Sequence, residues 1–206
     1  MHELRHSPAN PRDEEDIREY FAQSAKVIDL ASSDSAVVGS LVKIADTIAS
    51  SLRNGGKILL AGNGGSAGDA QHIAGEFLSR LNFDRAPLAA LALTVDTSVL
   101  TAIGNDYGYE QVFERQVRGL GRAGDVFVGI STSGRSPNVL RAIAAARECK
   151  LVTVGFTGAN GSSMIEQCDL AFVAPSTSTP LIQQLHLIAA HIVCGMVEAK
   201  IFGGSA

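Results

Sequence analysis

KILLAGNGGSAGDAQHIAGEF, residues 57–77, reads as a strand, a phosphate-sized loop and a helix. The apolar run Ile58-Leu59-Leu60-Ala61 has the length and flanks of a buried strand, and Gly62-Asn63-Gly64-Gly65-Ser66 breaks it before helical periodicity begins. Glycine lets the backbone come close to an anion, while Ser66 adds a hydroxyl where the first unpaired N–H groups of the helix point outward. The loop is neither GxGxxG nor a P-loop ending in GKS or GKT, so neither a dinucleotide nor ATP is the first-choice ligand. Taken alone it is equally readable as a tight strand-to-helix connection. The following helix shifts that balance. Asp69, His72 and Glu76 fall at i, i+3 and i+7 and share one face below the loop, where two carboxylates and an imidazole can hold a metal or move a proton.

The composition of the 206 residues, 46% hydrophobic and 18% charged, suits one well-buried domain, and with 5% aromatics its core must be aliphatic. A formal charge of −4 without a basic block argues against nucleic acid as the main partner. No apolar run approaches the roughly 20 residues that span a bilayer, and the polar start MHELRHSPANPRDEED is unlike a signal peptide. A cytoplasmic protein is expected. Cys149, Cys168 and Cys194, odd in number and widely spaced, read as reduced core thiols.

In chain order, residues 1–12 read as a disordered leader and residues 13–206 as a single domain. An amphipathic helix is expected from Glu14 to about Ser32, and a second from the N-cap Asp34 to Arg53, stopped by Asn54-Gly55-Gly56. Strands are expected at Leu88–Leu93, Val126–Ile130, Leu151–Phe156 and Leu170–Val173. Between the first two lie a short helix through Ile103, a polar loop Gly104–Gly108 and a helix from Tyr109 to Leu120. The third strand of the chain feeds a second phosphate-like loop, Ser131-Thr132-Ser133-Gly134-Arg135-Ser136, with Pro137 at the start of a helix to Cys149. A long last helix, about Ser178 to Phe202, carries Gln183, His186 and His191. Alternating strands and helices predict an α/β fold: a five-stranded parallel sheet with helices on both faces, a flavodoxin-like three-layer sandwich, plus the N-terminal helices. Both Ser/Gly loops then lie at strand carboxyl ends, where such sheets bind ligands.

GNGGSAGDAQHIAGEF, TAIGNDYGY, STSGRSPN and IQQLHLIAAHIVCGMVE together resemble the sugar isomerase (SIS) domain and, within it, the bacterial phosphoheptose isomerases. The likeness runs from about residue 14 to the C-terminus, with Gly68 standing where that family usually has Ala. The resemblance implies conversion of sedoheptulose 7-phosphate to D-glycero-D-manno-heptose 7-phosphate, the first step toward activated heptose for surface polysaccharide such as lipopolysaccharide. It implies a homotetramer with active sites built between subunits, without nucleic acid or membrane partners. It also implies that Asn63, Gly64, Gly65, Ser66, Asn105, Asp106, Ser131, Thr132, Ser133, Ser136 and Gln183 contact the phosphosugar, that Glu76 is the base and His191 the acid, and that His72, Glu76, Gln183 and His191 hold one zinc ion per subunit. The chemistry agrees with this, because an aldose–ketose isomerase moves a proton between two carbons through an enediol and needs a base near carbon and an acid near oxygen. Gln183 and His191, eight residues apart, are about 80° apart around their helix and can face one site. Asp69 either orients His72, touches substrate, or simply complements the helix dipole.

Two rivals come from other classes. One is a non-catalytic SIS-type interaction protein, such as a replication-initiator-associating protein; the other is a phosphosugar-binding sensor. Glu76, Gln183 and His191 argue against the first, and the second would need the two loops but neither base nor acid.

Overall fold

The computed structural model describes residues 11–203. The expected leader at 1–10 and the last three residues of the expected domain lie outside the described residues. Pro11 and Arg12, placed in that leader by sequence, open the first helix, α1 (Pro11–Ser33), where the fixed φ of proline suits the first helical position. Then come α2 (Ser35–Arg53), β1 (Ile58–Gly62), α3 (Gly65–Leu78), β2 (Ala90–Ala92), α4 (Thr97–Tyr107), a 3-10 turn (Tyr109–Gln111) and α5 (Val112–Leu120). The second half is β3 (Val126–Ile130), α6 (Pro137–Glu148), β4 (Val152–Gly158), α7 (Ser162–Ile165), β5 (Leu170–Ala174) and α8 (Thr179–Phe202).

All five strands are parallel, in the order β2-β1-β3-β4-β5. Alternation along each strand splits the core in two. Ile58 and Leu60 of β1, Val126 and Val128 of β3 and Val154 and Phe156 of β4 face α2, α3 and α8, whereas Leu59, Ala61 and Phe127 face α5, α6 and Met164 of α7. The expected three-layer sandwich is present, with α1 laid against α2 and α8.

Three expectations need correction. Gly104-Asn105-Asp106-Tyr107, read as a loop, forms the last turn of α4: Asp96 caps the helix through Val99 N–H at 3.0 Å, and the Arg115 guanidinium stacks 3.7 Å above the Tyr107 ring, so tertiary contact overrides poor propensity until Gly108, at φ +90°, ends it. β2 is only three residues long because Leu88 gives its N–H to Phe77 O, at the end of α3, instead of to the sheet ladder. Finally, α2 and α8 are long and apolar enough to span a membrane on length and composition alone, with mean hydropathies of 1.3 and 1.5. Here they are core helices, packed on each other and on β5, with Ile44, Ile48, Ala189 and Val193 buried between them and the sheet.

His186 of α8 is part of that core. Its ring packs edge-on against Phe156 and Phe172, Nε2 lies 3.3 Å from Thr157 O, and Nδ1 has no partner. Burial pushes its pKa down to about 4, against a smaller upward pull from the Thr157 carbonyl. The unfolded chain, with an ordinary imidazole near 6.5, therefore takes up a proton that the fold refuses between those two values. Stability is full above about pH 6.5 and falls on acidification, by about 2 kcal/mol from this group at pH 5. Thermal unfolding at pH 7 and pH 5 should show this loss, and His186→Gln, which keeps a donor for Thr157 O, should flatten that part of the slope.

Candidate active site

In the order 2-1-3-4-5 the chain leaves β1 toward one side of the sheet and β3 toward the other, which opens a crevice between their carboxyl ends. Both Ser/Gly loops border it. Their side chains are joined by a reciprocal amide pair: Asn63 Nδ2 donates to Asn138 Oδ1 at 2.9 Å, and Asn138 Nδ2 donates to Asn63 Oδ1 at 2.8 Å. Tyr109 adds its hydroxyl to Asn63 Oδ1 at 3.2 Å. Neither Asn138 nor Tyr109 was singled out from sequence, although both stand in the quoted stretches STSGRSPN and TAIGNDYGY.

The first loop turns at Gly64, φ +55°, and enters α3 with no side chain capping the helix. Ser66 is buried at its head, and a Cβ on Gly62 would strike the Ser66 backbone. In the second loop, Ser131 and Ser136 share a hydroxyl contact of 2.9 Å, Ser133 Oγ accepts from Arg135 N–H at 3.3 Å, and Gly134 turns with φ +64° against Gly161. Thr132, Ser133, Arg135, Asn160, Thr177 and Thr179 line a polar cavity of about 140 Å³ between this loop and the head of α8. Gln183, one turn into α8, sets its amide against Gly65, where any side chain would collide with it. The expected contacts Asn63, Gly64, Gly65, Ser66, Ser131, Thr132, Ser133, Ser136 and Gln183 thus gather at one end of the sheet. Asn105 and Asp106 hydrogen-bond each other at 2.8 Å on the last turn of α4, and among the described residues no hydrogen bond links them to either loop.

Below Gly65 and Gln183, α3 and α8 bring the ionisable groups together. His72 Nε2 lies 2.8 Å from His191 Nε2 and 3.4 Å from Glu76 Oε1, with the imidazoles edge to face at 5.0 Å. Ligand atoms of His72, Glu76 and His191 all lie within 4.8 Å of one another. Two imidazole nitrogens and a carboxylate oxygen converging on one point form a donor set that Zn²⁺ favours. Nitrogens on a tetrahedral zinc stand roughly 3.3 Å apart, so the pair needs to open by about half an ångström. Three of the four expected ligands are in place, whereas Gln183 makes no hydrogen bond to them. Asp69, one turn above His72, is buried and its Oδ2 has no partner. Burial raises its carboxyl above the usual range, against the opposing pull of His72.

The SIS domain family model matches residues 19–158. Phosphoheptose isomerase of Burkholderia pseudomallei is 54% identical over 187 residues, 91% of this chain and 95% of that protein, and that of a Bradyrhizobium strain is 55% identical over 185 residues, 90% and 93% of the two chains. Among solved structures, phosphoheptose isomerase GmhA from Neisseria gonorrhoeae superposes with a TM-score of 0.85 at 43% identity, covering 90% of this chain and 98% of that one. A phosphoheptose isomerase from Francisella tularensis gives 0.87 at 33%, covering 93% and 100%.

Gly65→Ala separates ligand binding from folding. Gly65 is the first helical residue of α3, so alanine suits its backbone and stability should hold or rise slightly. The new Cβ displaces the Gln183 amide, so calorimetry should show weaker binding of a ketose phosphate at an unchanged or higher melting temperature.

Proposed function

We propose that this chain, which belongs to the SIS domain family and within it to the phosphoheptose isomerases, converts sedoheptulose 7-phosphate to D-glycero-D-manno-heptose 7-phosphate with Glu76 as base and His191 as acid. It is an isomerase of a heptose phosphate, serving heptose biosynthesis; the non-catalytic reading is not favoured. The observation that supports the residue roles is the packing of His72, Glu76 and His191 across α3 and α8, beside the two Ser/Gly loops.

Phosphate is held by hydroxyls of Ser66, Ser131, Thr132, Ser133 and Ser136 and by the positive head of α3, whose cap position Gly64 has no side chain. The sugar chain then reaches down toward α8. Glu76 takes a proton from C1 of the ketose and returns it to C2, while His191 gives a proton to O2 and its neutral form receives the one leaving O1. The intermediate is an enediol, and protons balance over the turnover. His72, Glu76 and His191, joined by Gln183, would hold one zinc ion, which when bound would supply Lewis-acid polarisation of the sugar carbonyl. Glu76 has two carboxylate oxygens and can serve both the ion and the carbon.

The protein works as a homotetramer in the cytoplasm, without nucleic acid or membrane partners, and its product goes to surface polysaccharide. Exposed apolar groups support the assembly: Ile17 and Phe21 stand out on α1, and Ile28, Val38, Val42, Ile188 and Ile192 line a 220 Å³ groove between α1, α2 and α8, beside His191. A partner laid there borders the site, as intersubunit active sites require.

Glu76→Gln should fold and bind phosphosugar but lower turnover and C1 proton exchange by about 10²–10⁴. Near-normal exchange would remove it as the base. Chelation with zinc add-back, followed by elemental analysis, should make activity track occupancy; equal turnover by metal-free protein would leave the proton-transfer pair alone. Light scattering at micromolar concentration should give four chains per particle, and a monomer would refute the assembly.

A further inference from the structure

Arg85 and Glu198 lie outside every residue assigned so far, yet they join the two helices that carry the site. Glu198 is fully buried on α8, two turns beyond His191. Its carboxylate accepts the N–H of Leu81 at 2.8 Å, the N–H of Asn82 at 2.9 Å and Nε of Arg85 at 2.9 Å. The Arg85 side chain, 2% exposed, sends its remaining donors to the end of α3: Nη2 to the carbonyl of Glu76 at 2.7 Å, and Nη1 to those of Phe77 at 2.7 Å and Ser79 at 3.0 Å. Desolvation works to raise the Glu198 carboxyl, but the N–H groups of Leu81 and Asn82 and the Arg85 guanidinium outweigh it and hold it below the usual range. The charge pair is permanent at neutral pH.

We propose that Arg85 and Glu198 are positioning residues of the isomerase, fixing the axial offset of α3 against α8 and thereby the distance from Glu76 and His72 to His191. This inference rests on the reading of Glu76 and His191 as base and acid. Two considerations set it apart from a stabilising role alone. A buried ion pair is no better for stability than packed hydrocarbon of the same volume, and its best-attested benefit is register between elements. The contacts here are also specific to register. Arg85 reaches the backbone of Glu76 itself, and Gly195, one turn after His191, lets the 79–85 segment lie close to α8: a Cβ there would stand 2.9 Å from Asn82 Nδ2.

The test compares the full-length protein with Arg85→Lys, Glu198→Gln, Glu76→Gln and Asp125→Asn. Lysine keeps the charge opposite Glu198 but cannot also bridge the α3 carbonyls. Glu198→Gln keeps the side-chain length but turns one acceptor into a donor facing the Leu81 and Asn82 N–H groups, and either variant decides the matter if the other fails to fold. Asp125→Asn breaks another ion pair, Lys57–Asp125, which ties the start of β1 to the start of β3 and touches neither α3 nor α8. Turnover of sedoheptulose 7-phosphate, melting temperature and Zn²⁺ affinity by chelator competition are measured on each. Arg85→Lys and Glu198→Gln should lower kcat by about 10–10²-fold with KM within about threefold, and weaken zinc binding about tenfold, whereas Asp125→Asn loses melting temperature with kcat within about twofold. Wild-type kcat in Arg85→Lys and Glu198→Gln, or kcat that simply follows melting temperature across all variants including Asp125→Asn, overturns the positioning role while a dead Glu76→Gln leaves the base assignment standing. Normal turnover in Glu76→Gln overturns both.

Discussion

Parallel strands send every crossover the same way, and this constraint underlies the site. Because β1, β3 and β4 all run in one direction, Gly62, Ile130 and Gly158 end at one edge, and the chain must leave each through a tight turn. Central strands buried on both faces leave no room for side chains in those turns. Gly62 lies against the Ser66 backbone, Gly134 against Gly161, and Gly158 against Thr132 O, Ser176 O and Ile182. Two of these glycines turn their own N–H groups inward, Gly134 to Ser131 O and Gly158 to Thr132 O. Here one constraint produces both the sheet and the tight turns that border the crevice.

The ionisable groups depend on a second constraint, the side-by-side run of α3 and α8. Its rungs are Gly65 with Gln183, His72 with His191, and the 79–85 segment with Glu198. Seven residues along α3 and eight along α8 cover about the same 10–12 Å, so the first two rungs stay in step. A slip of one residue would move His191 about 1.5 Å along the axis and 100° around it, away from His72. Burial makes such slips costly, since Ala189, Ala190, Val193 and Val197 of α8 would leave the cavities they fill. The site is thus fixed by the same apolar faces that make α2 and α8 read as membrane-like segments.

Much of this was legible in the sequence because local signals agreed with the global fold. The strand-loop-helix of residues 57–77, the loop Ser131–Ser136, the Asp34 cap and the i, i+3, i+7 face of Asp69, His72 and Glu76 all depend on neighbours in sequence, and all are present. What failed depends on distant partners. Asn105 and Asp106 look like turn residues, yet Arg115 on Tyr107 and the Asp96 cap keep them helical. Asn138 and Tyr109 matter through Asn63, 75 and 46 residues away. Arg85 carries no local signal, because nothing nearby in sequence shows that Glu198, 113 residues on, is buried beside it. Composition alone cannot sort the two apolar helices, since hydropathy measures burial without saying whether lipid or protein does the burying.

Helix capping shows how stability and ligand binding were separated. Asp34 caps α2 and Asp96 caps α4, each with a carboxylate on first-turn N–H groups, which is the usual stabilising choice. Where α3, α6 and α8 begin, the cap positions are Gly64, Ser136 and Ser178, none of which bonds the helix end through its own side chain, and at α6 Asn138 Oδ1 takes the N–H of Val139 at 3.0 Å instead. A cap contributes about 1 kcal/mol, so three missing caps weigh measurably on a fold of ordinary stability. An aspartate at any of the three would cap the helix but add a negative charge beside the loops that the proposed function gives to phosphate. Glycine and serine add no charge there, and the first-turn N–H groups of Ser66, Ala67 and Val139 turn back to the carbonyls of Asn63, Gly64 and Ser136. Under the proposed function, a phosphosugar bound to these loops adds the stability of its own binding to the fold. The heads of α5 and α7 also lack a side-chain cap, so an open cap position becomes informative only where a Ser/Gly loop leads into it, as at α3 and α6.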